Sequence, residues 1–298
     1  MIGLAFVGWL LSRYLAAYQL GYIDQVWEPF FGDGTVRVLT SNVSRMWPVS
    51  DAGLGAAAYT FEMLMAWMGG KTRWRTMPWM VTFFFILVVP LGITSIVLVI
   101  LQPLVVGHWC TVCLATAVVM LVMIPFTVDE VVAMGQFMID RVRAGKPFWW
   151  TFFVGDTTEG GGPDSRTPRY GSPLARQIPA AGWGVTLPVT LAFSVMLGTW
   201  LMFAPSVLGG TATAANSDRL VGALIVTVAA ISTAEVVRAL RWLNALFGVW
   251  LLISPWALAG ASTSAVWSDI AAGIAILALT VPRGSVRDRY GAWDRWVL

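Results

Sequence analysis

The sequence predicts an all-α integral membrane protein with about eight transmembrane helices. Three observations predict it. Only 12% of the 298 residues are charged, while 57% are hydrophobic and mean hydropathy is +0.72; soluble domains average about 25% charged residues. Apolar runs long enough to cross a bilayer as helices recur along the chain. The 17 Trp and 6 Tyr fall largely beside those runs, as interfacial belts do. The net charge of +3 sits in short loops, so it reports orientation rather than a nucleic-acid surface.

The predicted spans are 2–22, 50–68, 77–101, 111–128, 184–203, 219–237, 241–257 and 267–282. The first has no basic leader and is interrupted by Arg13, so it reads as a retained helix rather than a signal peptide. Loop charges then orient the chain. Lys71, Arg73 and Arg75 follow the second span. Arg141, Arg143, Lys146, Arg166, Arg169 and Arg176 follow the fourth, Arg238 and Arg241 the sixth, and Arg283, Arg287, Arg289 and Arg295 the eighth. Loops 102–110 and 258–266 hold no Lys or Arg. Both termini are therefore expected in the cytoplasm, and 102–110 outside.

The middle of the chain differs in composition. Residues 155–180 are rich in Gly, Pro, Ser and Thr and read as a cytoplasmic linker. Segment 129–146 is expected to form a separate amphipathic helix on the membrane surface, anchored by Phe148, Trp149 and Trp150. The domains expected are thus 1–130, a segment and linker at 131–183, a second membrane module at 184–282, and a basic tail at 283–298.

That second module repeats itself. GTWLMFAPSVL at 198–208 matches GVWLLISPWAL at 248–258, and Asp218 and Gly222 match Asp269 and Gly273. Repeats this short predict two similar two-helix units that bury faces against each other. The unit resembles the SPW repeat, a two-span bacterial membrane module, with SPW literal at 254–256.

The only two cysteines lie together in HWCTVC, 108–113. A metal site, a structural disulfide and a redox centre compete for them. Zinc takes about four ligands, and His108 is the only histidine, so no metal is expected. A disulfide closing so short a loop removes little unfolded-state entropy. A redox pair has a physical basis: at the start of the fourth span, unpaired N–H groups and the positive helix end favour a thiolate. A lipid-soluble quinone is the obvious small-molecule partner for a dithiol at the bilayer edge. His108 is a candidate for tuning the nearer thiol or shuttling a proton, against a plain interfacial histidine.

Residues 2–130 resemble the vitamin K epoxide reductase family. The resemblance rests on RVLTS at 37–41, PVSDAGLGAAAYT at 48–60, KTRW at 71–74 and WCTVC at 109–113. It implies a four-helix bundle around a quinone, of ubiquinone or menaquinone type. Cys110 and Cys113 are then catalytic, with Cys113 nearer the quinone and Cys110 exchanging with thiols. The family's quinone-facing Asn and Tyr fall at Asp51 and Ala117. Asp51 also reads as a helix cap after Pro48-Val49-Ser50. Trp109 is a further candidate quinone contact, against a belt residue. The family's loop cysteines fall at Thr35 and near Trp27, so the internal relay is absent, and a separate extracytoplasmic thioredoxin-fold protein is expected to approach Cys110 directly.

Two charges lie inside spans, Arg13 and Glu62, and are expected to pair. The function expected is a membrane thiol:quinone oxidoreductase in the inner (plasma) membrane of a bacterium. The alternatives are a non-catalytic membrane scaffold that has lost its relay and, if the repeat half lines a polar cavity, a transporter.

Overall fold

Inside a bilayer the backbone has no polar partner except itself, and the apolar runs of this chain fold accordingly into helices. The computed structural model describes residues 1–46, 48–68, 72–156, 173, 175 and 182–287. Most of the expected linker at 155–180, the end of the tail from 288 onward, and Lys71 lie outside the described residues.

The first half consists of α1 (Ile2–Gln19), α2 (Gly34–Leu39), α3 (Asp51–Trp67), α4 (Arg73–Thr76), α5 (Pro78–Leu101), α6 (Thr111–Arg143) and α7 (Phe148–Val154). The second half holds α8 (Val189–Leu208), α9 (Ala212–Ile231), a 3₁₀ segment (Glu235–Trp242), α10 (Leu243–Ala257) and α11 (Thr263–Thr280). All eight predicted spans are helical. Among the described residues, six helices are long and apolar enough to cross a membrane. Of the other two, α1 carries Arg13 and α3 is only 17 residues long.

Helices α1, α3, α5 and α6 form a ring, each packed on its neighbours. Tyr59, Phe84, Val88, Met120 and Met123 fill it at one end. At that end Arg73 of α4 clamps the carboxylate of Glu130 in α6 and donates to the Met65 carbonyl, closing the α3–α5 connection.

The expected separate surface helix at 129–146 does not form as such. The fourth span runs on through it, making α6 a single helix of 33 residues. No Gly or Pro stands at 126–134 to stop it, and at 1.5 Å per residue it measures about 50 Å, longer than the bilayer core. The aromatic helix α7 follows, with Trp149, Trp150 and Phe153 exposed.

The expected Arg13–Glu62 ion pair is also absent, because of helix register. A Cβ on Gly8 would strike the Tyr59 ring, and one on Gly55 would touch Ser12 Oγ. These contacts set Arg13 level with Leu54, and Glu62 level with Ala5, about 12 Å further along the axis. Arg13 instead is exposed, its guanidinium 4.9 Å from the Trp9 ring centre. Glu62 is fully buried, and neither carboxylate oxygen has a hydrogen-bond partner.

The internal repeat is realised as two matching helix pairs. Gly198 faces Gly222 between α8 and α9, and Gly248 faces Gly273 between α10 and α11. The pairs are tied reciprocally: Trp200 Nε1 donates to Ser268 Oγ at 3.0 Å, and Trp250 Nε1 to Ser217 Oγ at 2.9 Å. Helix α9 rests on α5 and α6, which joins the two halves. At the end away from the cysteines, Arg238 is fully buried and donates to the carbonyls of Thr186 and Thr233. These two turn arginines, Arg238 and Arg241, are thus structural props as well as charges.

Candidate functional site

The cysteine pair begins α6. Cys110 is the N-cap residue, with the extended backbone an N-cap requires, and its Sγ accepts from the Cys113 N–H at 3.1 Å. The two are joined as a disulfide, their Cα atoms 5.3 Å apart. One helical turn separates the sulfurs, so the pairing needs no long-range closure.

The two sulfurs face different surroundings. Cys113 lines a cavity of about 300 Å³ enclosed by α1, α3, α5, α6 and the segment 38–46. Its walls include Leu15, Tyr59, Leu91, Val99 and Ala117. Cys110 does not line it and is 0% exposed.

A cap formed by the connection between α1 and α3 buries Cys110. Its clasp is Glu28, which sequence reasoning missed. The Glu28 carboxylate accepts from the N–H and hydroxyl of Thr111, the residue after Cys110. It also accepts from the Thr35 hydroxyl and from the N–H groups of Phe30 and Phe31. Burial raises its pKa, but the hydrogen bonds from Thr111, Thr35 and Phe30 together outweigh burial and hold it down to about 2. Glycine at 34 lets α2 close: a Cβ there would come within 2.0 Å of the Trp109 carbonyl oxygen. In this conformation the expected direct approach of a partner to Cys110 is therefore blocked.

The expected quinone contacts divide. Asp51 and Ala117 line the cavity; Trp109 does not. Trp109 turns to the second half, its ring centre 4.9 Å from that of Phe203 in α8, and Phe31 of the cap stacks on the same Phe203 at 6.0 Å. The apolar cluster of Val99, Ala117, Met202 and Ala223 draws the indole there. Asp51 is not the helix cap; Ser50 is, accepting from Gly53 N–H at 2.9 Å. The Asp51 carboxylate accepts instead from Gln19 Nε2 at 2.6 Å and Ser44 Oγ at 2.9 Å. His108 is half-buried outside the cavity lining, and its backbone N–H bonds the Gln102 carbonyl.

Gln102 is the second residue that sequence reasoning missed. It opens a π-helical turn, Gln102–Val106, at the end of α5, and its Oε1 accepts from the Cys110 N–H at 3.0 Å. The available signal was a lone amide closing a long, mostly apolar run. Glu28 had no signal beyond being an acid in a nearly neutral loop, because its five donors are two threonine hydroxyls and three N–H groups from distant or irregular chain.

Comparison with known proteins agrees with this division. Residues 1–128 match the vitamin K epoxide reductase family, and residues 189–282 match the SPW repeat domain. The chain thus joins a segment similar to the vitamin K epoxide reductase family to one similar to the SPW repeat domain, in that order. Among curated proteins and among solved structures, none matches it.

Proposed function

We propose that the first half is a thiol:quinone oxidoreductase working through Cys110 and Cys113. The observation that carries this reading is the apolar cavity that opens against Cys113, with Cys110 buried outside its lining. A quinone fits such a site by size and by the apolar character of the walls, and the family match supports that class of substrate.

A quinone would supply a two-electron, two-proton acceptor. The chain's own chemistry is thiol exchange and dithiol oxidation. When Cys110 and Cys113 pass from dithiol to disulfide, two S–H bonds break and one S–S bond forms. Two electrons and two protons leave, converting quinone to quinol; the reverse course consumes quinol. The N-terminal turn of α6 favours thiolate at Cys110 once the bond is open. Cys113 would face the quinone, and Cys110 would exchange with a dithiol of a separate extracytoplasmic thioredoxin-fold protein after the cap opens. The basic loops orient both termini to the cytoplasm and the cysteines outward, in the plasma membrane of a bacterium.

The absent loop cysteines motivate a non-catalytic scaffold as the rival reading. The cavity against Cys113 favours redox chemistry over it. The test is to reduce the purified protein, add a quinone without oxygen, and follow free thiols and quinol together. One quinol formed per disulfide is expected; thiols unchanged over hours would sink the proposal.

A further inference from the structure

We propose that the side-chain amide of Gln102 is the donor that holds a quinone carbonyl beside the Cys110–Cys113 pair. This deepens the thiol:quinone reading and rests on it.

The argument begins with donor counting. Backbone N–H groups only donate, so the atom of Gln102 that meets Cys110 N–H must be its carbonyl oxygen. That contact fixes the plane of the amide and turns Nε2, with its two N–H groups, the other way. Gln102 is 3% exposed and lines the cavity that Cys113 lines. Nε2 donates to no described residue, and it is not among the sealed, orphaned polar atoms. It is a fixed donor facing cavity space.

The other polar groups around the cavity are differently placed. Ser44 donates to Asp51 and Tyr59 to the Thr116 carbonyl, while Ser41, Thr94 and Thr116 each donate to a carbonyl of their own segment. The Asp51 carboxylate, already accepting from Gln19 and Ser44, offers a quinone no proton. The hydroxyls of Ser12 and Ser95 are uncommitted, but neither is locked to the disulfide turn. Gln102 alone combines a cavity-facing donor with a direct bond to Cys110. The site lies on a π turn, an irregularity that helices often carry where they bind or react. An apolar ring with a carbonyl acceptor matches an apolar cavity with one fixed donor.

The test uses the full-length protein in its disulfide form with menadione, a pairing in which no net oxidation of the cysteines is possible. Binding is then read apart from turnover. Wild type should bind, and isotope-edited infrared spectra should show one carbonyl stretch lowered by hydrogen bonding. Gln102→Met should weaken binding about tenfold and return that stretch toward its free value. Should that variant fail to fold, Gln102→Glu keeps an oxygen for the Cys110 N–H and lacks the donor once ionised, so its binding should weaken as pH rises from about 6 to 9 while that of wild type does not. Phe193→Ala, on α8 and outside the cavity lining, should bind as wild type does. Unchanged affinity and an unchanged stretch in the Gln102 variants would overturn the assignment, as would wild type that binds no menadione. A wild type that binds with the shifted stretch, yet whose dithiol form is never oxidised, would overturn the redox reading and leave the donor assigned.

Discussion

One carboxylate holds the cap over Cys110 shut. Glu28 gathers its hydrogen bonds from both sides of the gap between the cap and the disulfide turn. Bonds to a charged acceptor contribute about 1.5–3 kcal/mol each, net of competition with water. Glu28→Gln is therefore expected to speed reduction of the disulfide by a water-soluble phosphine about tenfold at pH 7. Its pH dependence follows from the depressed pKa. The carboxyl sits at about 2 in the closed cap against an ordinary 4.5, so the clasp is at full strength above pH 4.5 and is lost as pH falls toward 2. The ratio of the variant's reduction rate to that of wild type should be constant above pH 4.5 and decline to one below it. A ratio of one at pH 7 would remove Glu28 from this role. Neither Glu28 nor Gln102 was legible in the sequence, because their partners lie across gaps in chain position: residue 111 for the first, 110 around a turn for the second. The cysteines were legible because the chain contains no others.

At the scale of elements, close helix approach carries the second half. Helices surrounded by lipid gain little from apolar burial, so small residues that admit close packing matter most. A Cβ on Gly222 would lie 2.5 Å from the Gly198 carbonyl oxygen and 2.9 Å from Met202 N, both unyielding backbone atoms. The matching Cβ on Gly273 would lie 2.9 Å from the Gly248 carbonyl oxygen, with its other contacts to the Leu252 side chain. Gly222→Ala should therefore lower the thermal midpoint more than Gly273→Ala, by overpacking worth about 1–3 kcal/mol at the former. Equal midpoints would show that the two pairs yield alike. The repeat itself was legible from its 50-residue offset, but the difference between its halves was not, since it depends on which neighbour each glycine meets. Helix ends were also harder to read than helix cores. The fourth span and the expected surface helix are one element because the amphipathic change in pattern at 129 brings no breaker with it.

At the scale of the whole molecule, the two halves share a wall at the disulfide turn. Phe203 of the repeat half touches both Trp109, beside Cys110, and Phe31 of the cap. The repeat module thus braces the cap and the cysteine turn together. Phe203→Ala should lower the thermal midpoint and raise the rate at which the phosphine reduces the disulfide. Phe193→Ala, on the same helix but with its side chain half exposed, should change neither. If both variants behaved as wild type, the module would be a neighbour and not a brace.

The sequence by itself determined the class of the molecule, the positions of its apolar helices, the repeat and the place of its only cysteine pair. Each of these is a local property: hydropathy over about 20 residues, a recurring string, a spacing of three. The tertiary structure alone decided which charges meet, which sulfur faces the cavity, and what lies over Cys110. Those depend on helix register and on side chains drawn from different helices. A shift of two turns between α1 and α3 separates Arg13 from Glu62, and a fold of the α1–α3 connection brings Glu28 to Thr111.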